Sequence, residues 1–196
     1  MTQSMITAAT LTGLLALAPS YAQSSATSSS KTASKSSASS STLSSSDHKF
    51  VMEAAEGGMM EVELGRIAAQ KGTSPDVKSF GQRMVDDHSK ANDKLKQVAS
   101  SKGVTVPASL PAAKQKEIDK LNQLSGAAFD NAYVSHMVAD HKKDVAAFQK
   151  ESNSGKDTDV KAFATNTLPT LQEHLKMIQD ISSKMGSSGH AGHTGH

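Results

Sequence analysis

From Val77 to Val98 the chain places Val77, Gly81, Met84, His88, Ala91, Leu95 and Val98 at an unbroken alternation of four and three residues. That spacing returns to one face of an α-helix on every turn, and no strand, which alternates every second residue, can follow it. A helix with such a stripe must bury it against another helix. The member at its centre is a histidine, so a protonatable ring is predicted inside the seam.

Three more stretches repeat the pattern. Asp47, or Ser46 before it, is expected to cap a first helix that runs to about Lys71 and stops at Gly72. Its apolar face carries Phe50, Ala54, Gly57, Leu64 and Ala68, with Glu61 in the middle. Gly57, Gly58 and Gly65 weaken that helix by about 1 kcal/mol each against Ala, which predicts close approach by a neighbouring helix. Ser74 and Pro75 open the second helix, the one described above, and Gly103 ends it. The third long helix runs from Ser125 and Gly126 to a turn at Ser152 to Gly155. Its stripe of Val134, Met137, Val138, Val145 and Phe148 has His141 inside it, and Asp140 and Asp144 lie at its edge. The fourth begins at Asp157 or Thr158 and runs to about Met185, with Val160, Phe163, Thr167, Leu171, His174, Ile178 and Ile181 in its seam and Pro169 predicted to kink it.

Between the second and third long helices, Val104 to Ser125 carries Pro107, Pro111 and a short amphipathic run of Ile118, Leu121 and Leu124, which reads as a crossover with a short helix. The expected fold is therefore all-α, a four-helix bundle with a crossover helix between helices 2 and 3. The segments DVKSFG from Asp76 and DVKAFA from Asp159 each open the second helix of a hairpin, after helices beginning at Phe50 and Phe129, so two related hairpins are expected.

An apolar fraction of 36% is low for a chain that is globular throughout, and the deficit is concentrated at the ends. Residues 1–22 read as a secretory signal, with an apolar run from Ala8 to Ala18 and small residues at Ser20 and Ala22 that suit cleavage before Gln23. No Lys or Arg precedes that run, and it is too short to span a bilayer. Residues 23–46 read as a disordered tether, because fourteen of the residues from Ser24 to Ser46 are Ser and cannot offset the entropy of ordering. Residues 47–185 form the expected bundle. Residues 186–196 are expected as a disordered tail in which His190, His193 and His196 could hold metal weakly or serve as plain polar chain.

The composition excludes several chemistries. There is no cysteine, so disulfides, thiolate metal sites and cysteine nucleophiles are ruled out. Apart from Lys31 and Lys35 the 21 basic residues balance the 19 acidic ones, and with few aromatic residues no nucleic-acid platform is expected. No segment after the signal is apolar enough to cross a membrane. Nucleophile elbow, dinucleotide fingerprint and complete phosphate loop are all missing.

What remains is the polar layer. At about 1.5 Å per residue, Glu61, His88, His141 and His174 lie at similar depth along their helices, so a bundle brings them to one middle layer. Three imidazoles and a carboxylate suit zinc, iron or manganese and leave positions open for water or substrate. Met84 and Met137, one turn before His88 and His141, and Met177 after His174 extend the choice to copper, and Asp144 is a weaker candidate ligand. The alternative is a metal-free layer in which the histidines and carboxylates satisfy one another and fix register.

The runs FVMEAAEGGMMEVELGRIA, VKSFGQRMVDDHSKANDKL, LSGAAFDNAYVSHMVADH and FATNTLPTLQEHL, in that order between Asp47 and Ile181, resemble a family of exported bacterial domains of unknown function. That family is placed in the ferritin-like superfamily and its members are often labelled outer-membrane proteins. The resemblance implies a ferritin-like four-helix bundle and a periplasmic or secreted location, associated with the outer membrane, with no established activity. The sequence departs from the di-iron members, because the residues three before His88 and His174 are Val85 and Leu171 rather than Glu. Three functions stay open: a binding or envelope-stress module that holds a metal, a redox or hydrolytic metalloenzyme, and a metal-free protein that binds an envelope component.

Overall fold

The computed structural model describes residues 43–190. The expected signal at 1–22, the tether up to residue 42, and His193 and His196 lie outside the described residues. The described chain is all-helical, with five helices and no strand: α1 (Ser45–Lys71), α2 (Pro75–Ser101), α3 (Ala112–Gln123), α4 (Gly126–Ser154) and α5 (Thr158–His190). None is long and apolar enough to cross a membrane.

The long helices pair as two hairpins, α1 with α2 and α4 with α5, and the hairpins meet through α2 on α5 and α1 on α4. The shorter α3 lies against α1 and α4. The tightest crossing is at Gly65 of α1 and Gly81 of α2, where a Cβ on either glycine would stand 2.7 Å from the carbonyl oxygen of the other. Only glycine permits that approach. Gly58 likewise faces Asn92, whereas a Cβ on Gly57 would meet nothing within 4 Å. The expectation of a close neighbour therefore fails for Gly57.

The turns are closed across hairpins. Asp130, near the start of α4, accepts from the backbone N–H of Thr73 (3.0 and 3.1 Å) and Ser74 (2.8 Å) in the α1–α2 turn. Asp47, near the start of α1, accepts from the N–H of Lys156 (3.2 and 3.1 Å) and Asp157 (2.7 Å) in the α4–α5 turn. Both aspartates are buried. Because Asp47 is occupied there, the cap of α1 is Ser44, whose hydroxyl accepts from the Asp47 N–H at 3.1 Å. Asp157 caps α5 through the N–H groups of Asp159 and Val160. The two halves are in register at an interval of 83 residues, from Asp47 to Asp130, Thr73 to Lys156 and Asp76 to Asp159. This pairs Phe50 with Tyr133 rather than with Phe129.

α5 continues past the expected end at Met185 as far as His190, so 186–190 is helical rather than tail. Ser183 and Ser187 stay within the helix by donating to the carbonyls four residues back, Gln179 and Ser183. The helix is likewise unbroken through Pro169.

Two apolar clusters fill the interior. One gathers Leu64, Phe80, Met84, Phe129, Tyr133 and Ile178 toward the α1–α2 turn. The other gathers Phe50, Leu95, Phe148, Val160 and Phe163 toward the opposite end. A polar layer lies between them.

Candidate metal centre

His88, His141 and His174 come together from α2, α4 and α5, with ring centroids 5.7, 5.3 and 5.4 Å apart. They are 5%, 0% and 0% exposed, and Glu61 of α1 is 2% exposed. One ring nitrogen from each histidine lies within 4.8 Å of the others. A cation bound to three nitrogens at about 2 Å needs them about 3.4 Å apart, so binding would draw the rings together.

Each ring is anchored at one nitrogen and open at the other. His88 Nδ1 is 2.8 Å from Glu61 Oε2. His141 Nδ1 donates to the Met137 carbonyl one turn back, at 3.1 Å, which fixes its tautomer with a lone pair on Nε2. His174 Nε2 donates to Asp87 Oδ2 at 3.0 Å, and Arg83 Nε donates to the same oxygen. The second nitrogens, His88 Nε2, His141 Nε2 and His174 Nδ1, are buried with no hydrogen-bond partner, and so is Glu61 Oε1, 3.5 Å from His141 Nε2. Buried polar atoms are nearly always satisfied, and four orphans converging in one layer need an explanation.

A second group adjoins the first. One carboxylate oxygen from each of Glu61, Asp140 and Asp144 lies within 4.8 Å of the others, so Glu61 joins the acidic group to His88 and His141. Met84 and Met137 belong to the apolar cluster toward the α1–α2 turn, and what Met137 gives the histidines is its backbone carbonyl.

Burial sets the protonation states. Desolvation pushes His88 down to about 4, His141 to about 3 and His174 to about 4, so all three rings are neutral at pH 7 and able to ligate. Desolvation, with the charge of Asp140 nearby, pushes Glu61 up to about 8. Desolvation and the neighbouring Glu61 push Asp144 up to about 9. Burial would raise Asp87 as well, but its hydrogen bonds to Arg83 and His174 outweigh this and hold it below the ordinary carboxylate range.

Sequence reasoning found the three histidines and Glu61 but not their anchors. Asp87 was visible as a residue at the edge of the α2 stripe four after Arg83, and the Met137 carbonyl carries no sequence signal.

The fold and this layer define an all-helical protein with a buried cluster of histidines and carboxylates that could hold a metal ion. The chain belongs to the family described as a domain of unknown function, DUF4142, which matches residues 32–181. No curated protein matches the chain. Among solved structures it is similar to a DUF305 fragment from Deinococcus radiodurans, at 11% identity and a TM-score of 0.63, covering 72% of this chain and 98% of that one. It is also similar to hypothetical protein MJ0754 from Methanococcus jannaschii DSM 2661, at 13% identity and a TM-score of 0.60, covering 74% of this chain and 83% of that one. At such identities the likeness is one of fold alone.

Proposed function

We propose that this protein is an exported, ferritin-like four-helix bundle that binds a single divalent transition-metal ion through His88, His141 and His174, with Glu61 as the adjoining carboxylate. The observation that carries the reading is the paired state of each imidazole, one nitrogen anchored and the other buried without a partner. Metal-ligating histidines have this arrangement, the anchor setting the tautomer and raising the basicity of the ligating atom. A layer of histidines that satisfied one another would use up those nitrogens, and here no protein group pairs with them. Three neutral imidazole nitrogens and one carboxylate oxygen suit zinc, iron or copper better than manganese, which favours more oxygen ligands.

Export to the periplasm or beyond, and work there as a binding or envelope-stress module, rest on the signal-like residues 1–22 and the Ser-rich stretch that follows them. One observation favours a metal-dependent hydrolytic or redox enzyme as the second reading. A cavity of about 20 Å³ borders Glu61, His88 and Asp144, which is room for one water beside the centre.

The test is calorimetric titration of the full chain with zinc or cobalt(II), carrying His190, His193 and His196 as Gln so that they cannot contribute. One ion per chain is expected, with protons released as the cation displaces them from Glu61 and Asp144, and His141→Ala should abolish uptake. Failure of the parent protein to take up any of zinc, cobalt, iron, manganese or copper would overturn the reading.

A further inference from the structure

The imidazoles are buried, so an ion needs a route to them. We propose that the cation enters from the surface groove between α1 and α4, through the opening left by Gly57, and passes the carboxylates of Asp140, Asp144 and Glu61 to reach the histidines; this rests on the metal-binding reading above.

Three observations lead there. The small cavity beside Glu61 and His88 shares Ala54, Gly57, Asp144 and Phe148 as walls with a groove of about 320 Å³ on the protein surface. Gly57, which has no side chain, forms part of the wall between them. Unlike Gly65 and Gly81, Gly57 faces open space, so helix packing does not require glycine there, although glycine in mid-helix costs stability. Helix geometry leaves the residue unexplained, and the opening explains it.

The second observation is the line of oxygen donors. Asp140 and Asp144 line the groove, Asp144 also lines the cavity, and both have an oxygen within 4.8 Å of one on Glu61. Asp144 and Glu61 lie against one another, and Asp144 Oδ2 and Glu61 Oε1 are buried, so a cation that displaces their protons meets an oxygen at each step. From Glu61 the next donor is His141 Nε2, at 3.5 Å, and Glu61 also touches the His88 ring at its anchored Nδ1.

The third observation concerns the opposite approach. Asp87 is a partly exposed carboxylate that touches His174 directly, but Arg83 and Lys90 stand beside it and repel a cation. The groove carries Lys114 and Lys143 beside Glu53, Glu56, Asp140 and Asp144, so oxygen donors outnumber cationic groups along it.

Stopped-flow uptake of cobalt(II), followed by its visible absorption in the full chain with the three tail histidines as Gln, tests the route. Gly57→Leu fills the opening and should slow both uptake and release by at least tenfold while leaving Kd within about twofold. Gly57→Ala should leave the rates near those of the parent, and Asp140→Asn should slow uptake several-fold. Ala54→Leu, on the same wall, is the second blocking variant should Gly57→Leu fail to give the helical circular dichroism of the parent. Parent-like rates in a folded blocking variant would overturn the route and leave the metal centre standing. A parent protein that takes up no cobalt would overturn both.

Discussion

Asp87 supplies the sharpest test of the anchoring argument, because it touches no metal and yet should control metal affinity. Its Oδ2 holds His174 Nε2 at 3.0 Å, and its side chain is 20% exposed while that of His174 is 1% exposed. In Asp87→Asn the amide oxygen still accepts the ring N–H, but the negative charge that raises imidazole basicity is lost. Loss of an outer partner of a metal-bound histidine lowers affinity by about 10–100-fold, which is about 1.4–2.7 kcal/mol. Asn, which keeps the hydrogen bond, belongs at the low end of that range, and Asp87→Ala, which removes it, at the high end. For Asp87→Asn the cost to the metal-free fold is smaller, because the hydrogen bond is kept and an ion pair at the rim contributes about 0–1 kcal/mol, a melting shift of about 2–4 °C at most for a chain of this size. Asp87→Ala also leaves the buried His174 Nε2–H unpaired, at about 1–3 kcal/mol. The expected pattern for Asp87→Asn is thus a loss of zinc affinity by calorimetry with little change in apo-protein melting. Glu61→Gln should be more severe, since Glu61 lies against two rings. Binding by Asp87→Ala within twofold of the parent, while His141→Ala abolishes it, would refute the anchoring argument and show that the rings are held by packing alone.

Further outcomes follow from the same geometry. The metal-free protein should be most stable near pH 6.5. Below it the unfolded chain takes up protons that the three depressed histidines refuse, so stability falls as pH falls from about 6.5 toward 4. Above it the folded chain keeps protons on Glu61 and Asp144 that the unfolded chain has lost, so stability falls as pH rises toward 8 or 9. Urea midpoints across this range check both limbs, and Asp144→Asn should flatten the alkaline one. Gly65→Ala should lower stability by about 1–3 kcal/mol through the clash with the Gly81 carbonyl, whereas Gly57→Ala should raise it by up to about 1 kcal/mol; thermal melting decides the sign of each. Asp130→Ala should cost about 1–3 kcal/mol by leaving the Thr73 and Ser74 donors unpaired, read as a lower urea midpoint with unchanged m-value. Material recovered from a secreting host should begin at or beside Gln23 by intact mass, and a chain still beginning at Met1 would refute export by cleavage.

The helices and their buried faces were legible because a stripe such as Val77 to Val98 is a local property, set by periodicity alone. The meeting of His88, His141 and His174 was legible for a similar reason, since depth along a helix is a count of residues. The anchors were not, because which ring nitrogen faces Asp87 or the Met137 carbonyl depends on side-chain rotation and on the angle between helices. The cap of α1 illustrates the same limit. Asp47 has the chemistry of an N-cap, but its carboxylate is taken by Lys156 and Asp157, more than a hundred residues away, and Ser44 caps instead. The glycines of α1 could not be sorted by sequence either, because Gly65 touches α2 and Gly57 faces open space, a difference of rotation about one helix axis.

The reciprocal placement of Asp47 and Asp130 has a consequence for assembly. Neither hairpin closes its own turn; each depends on an aspartate carried by the other. Nothing in those bonds requires that the two hairpins belong to one chain, because a hairpin from a second molecule would present the same carboxylate to the same amides. Two molecules could exchange hairpins across the segment that joins α2 to α4 and keep every cap and every ligand of the centre. What opposes the exchange in dilute solution is the segment from Lys102 to Ser125, α3 included, which holds each hairpin at a high effective concentration for its own partner. Shortening that segment until it cannot reach back would leave exchange between two chains as the way to keep the same interior.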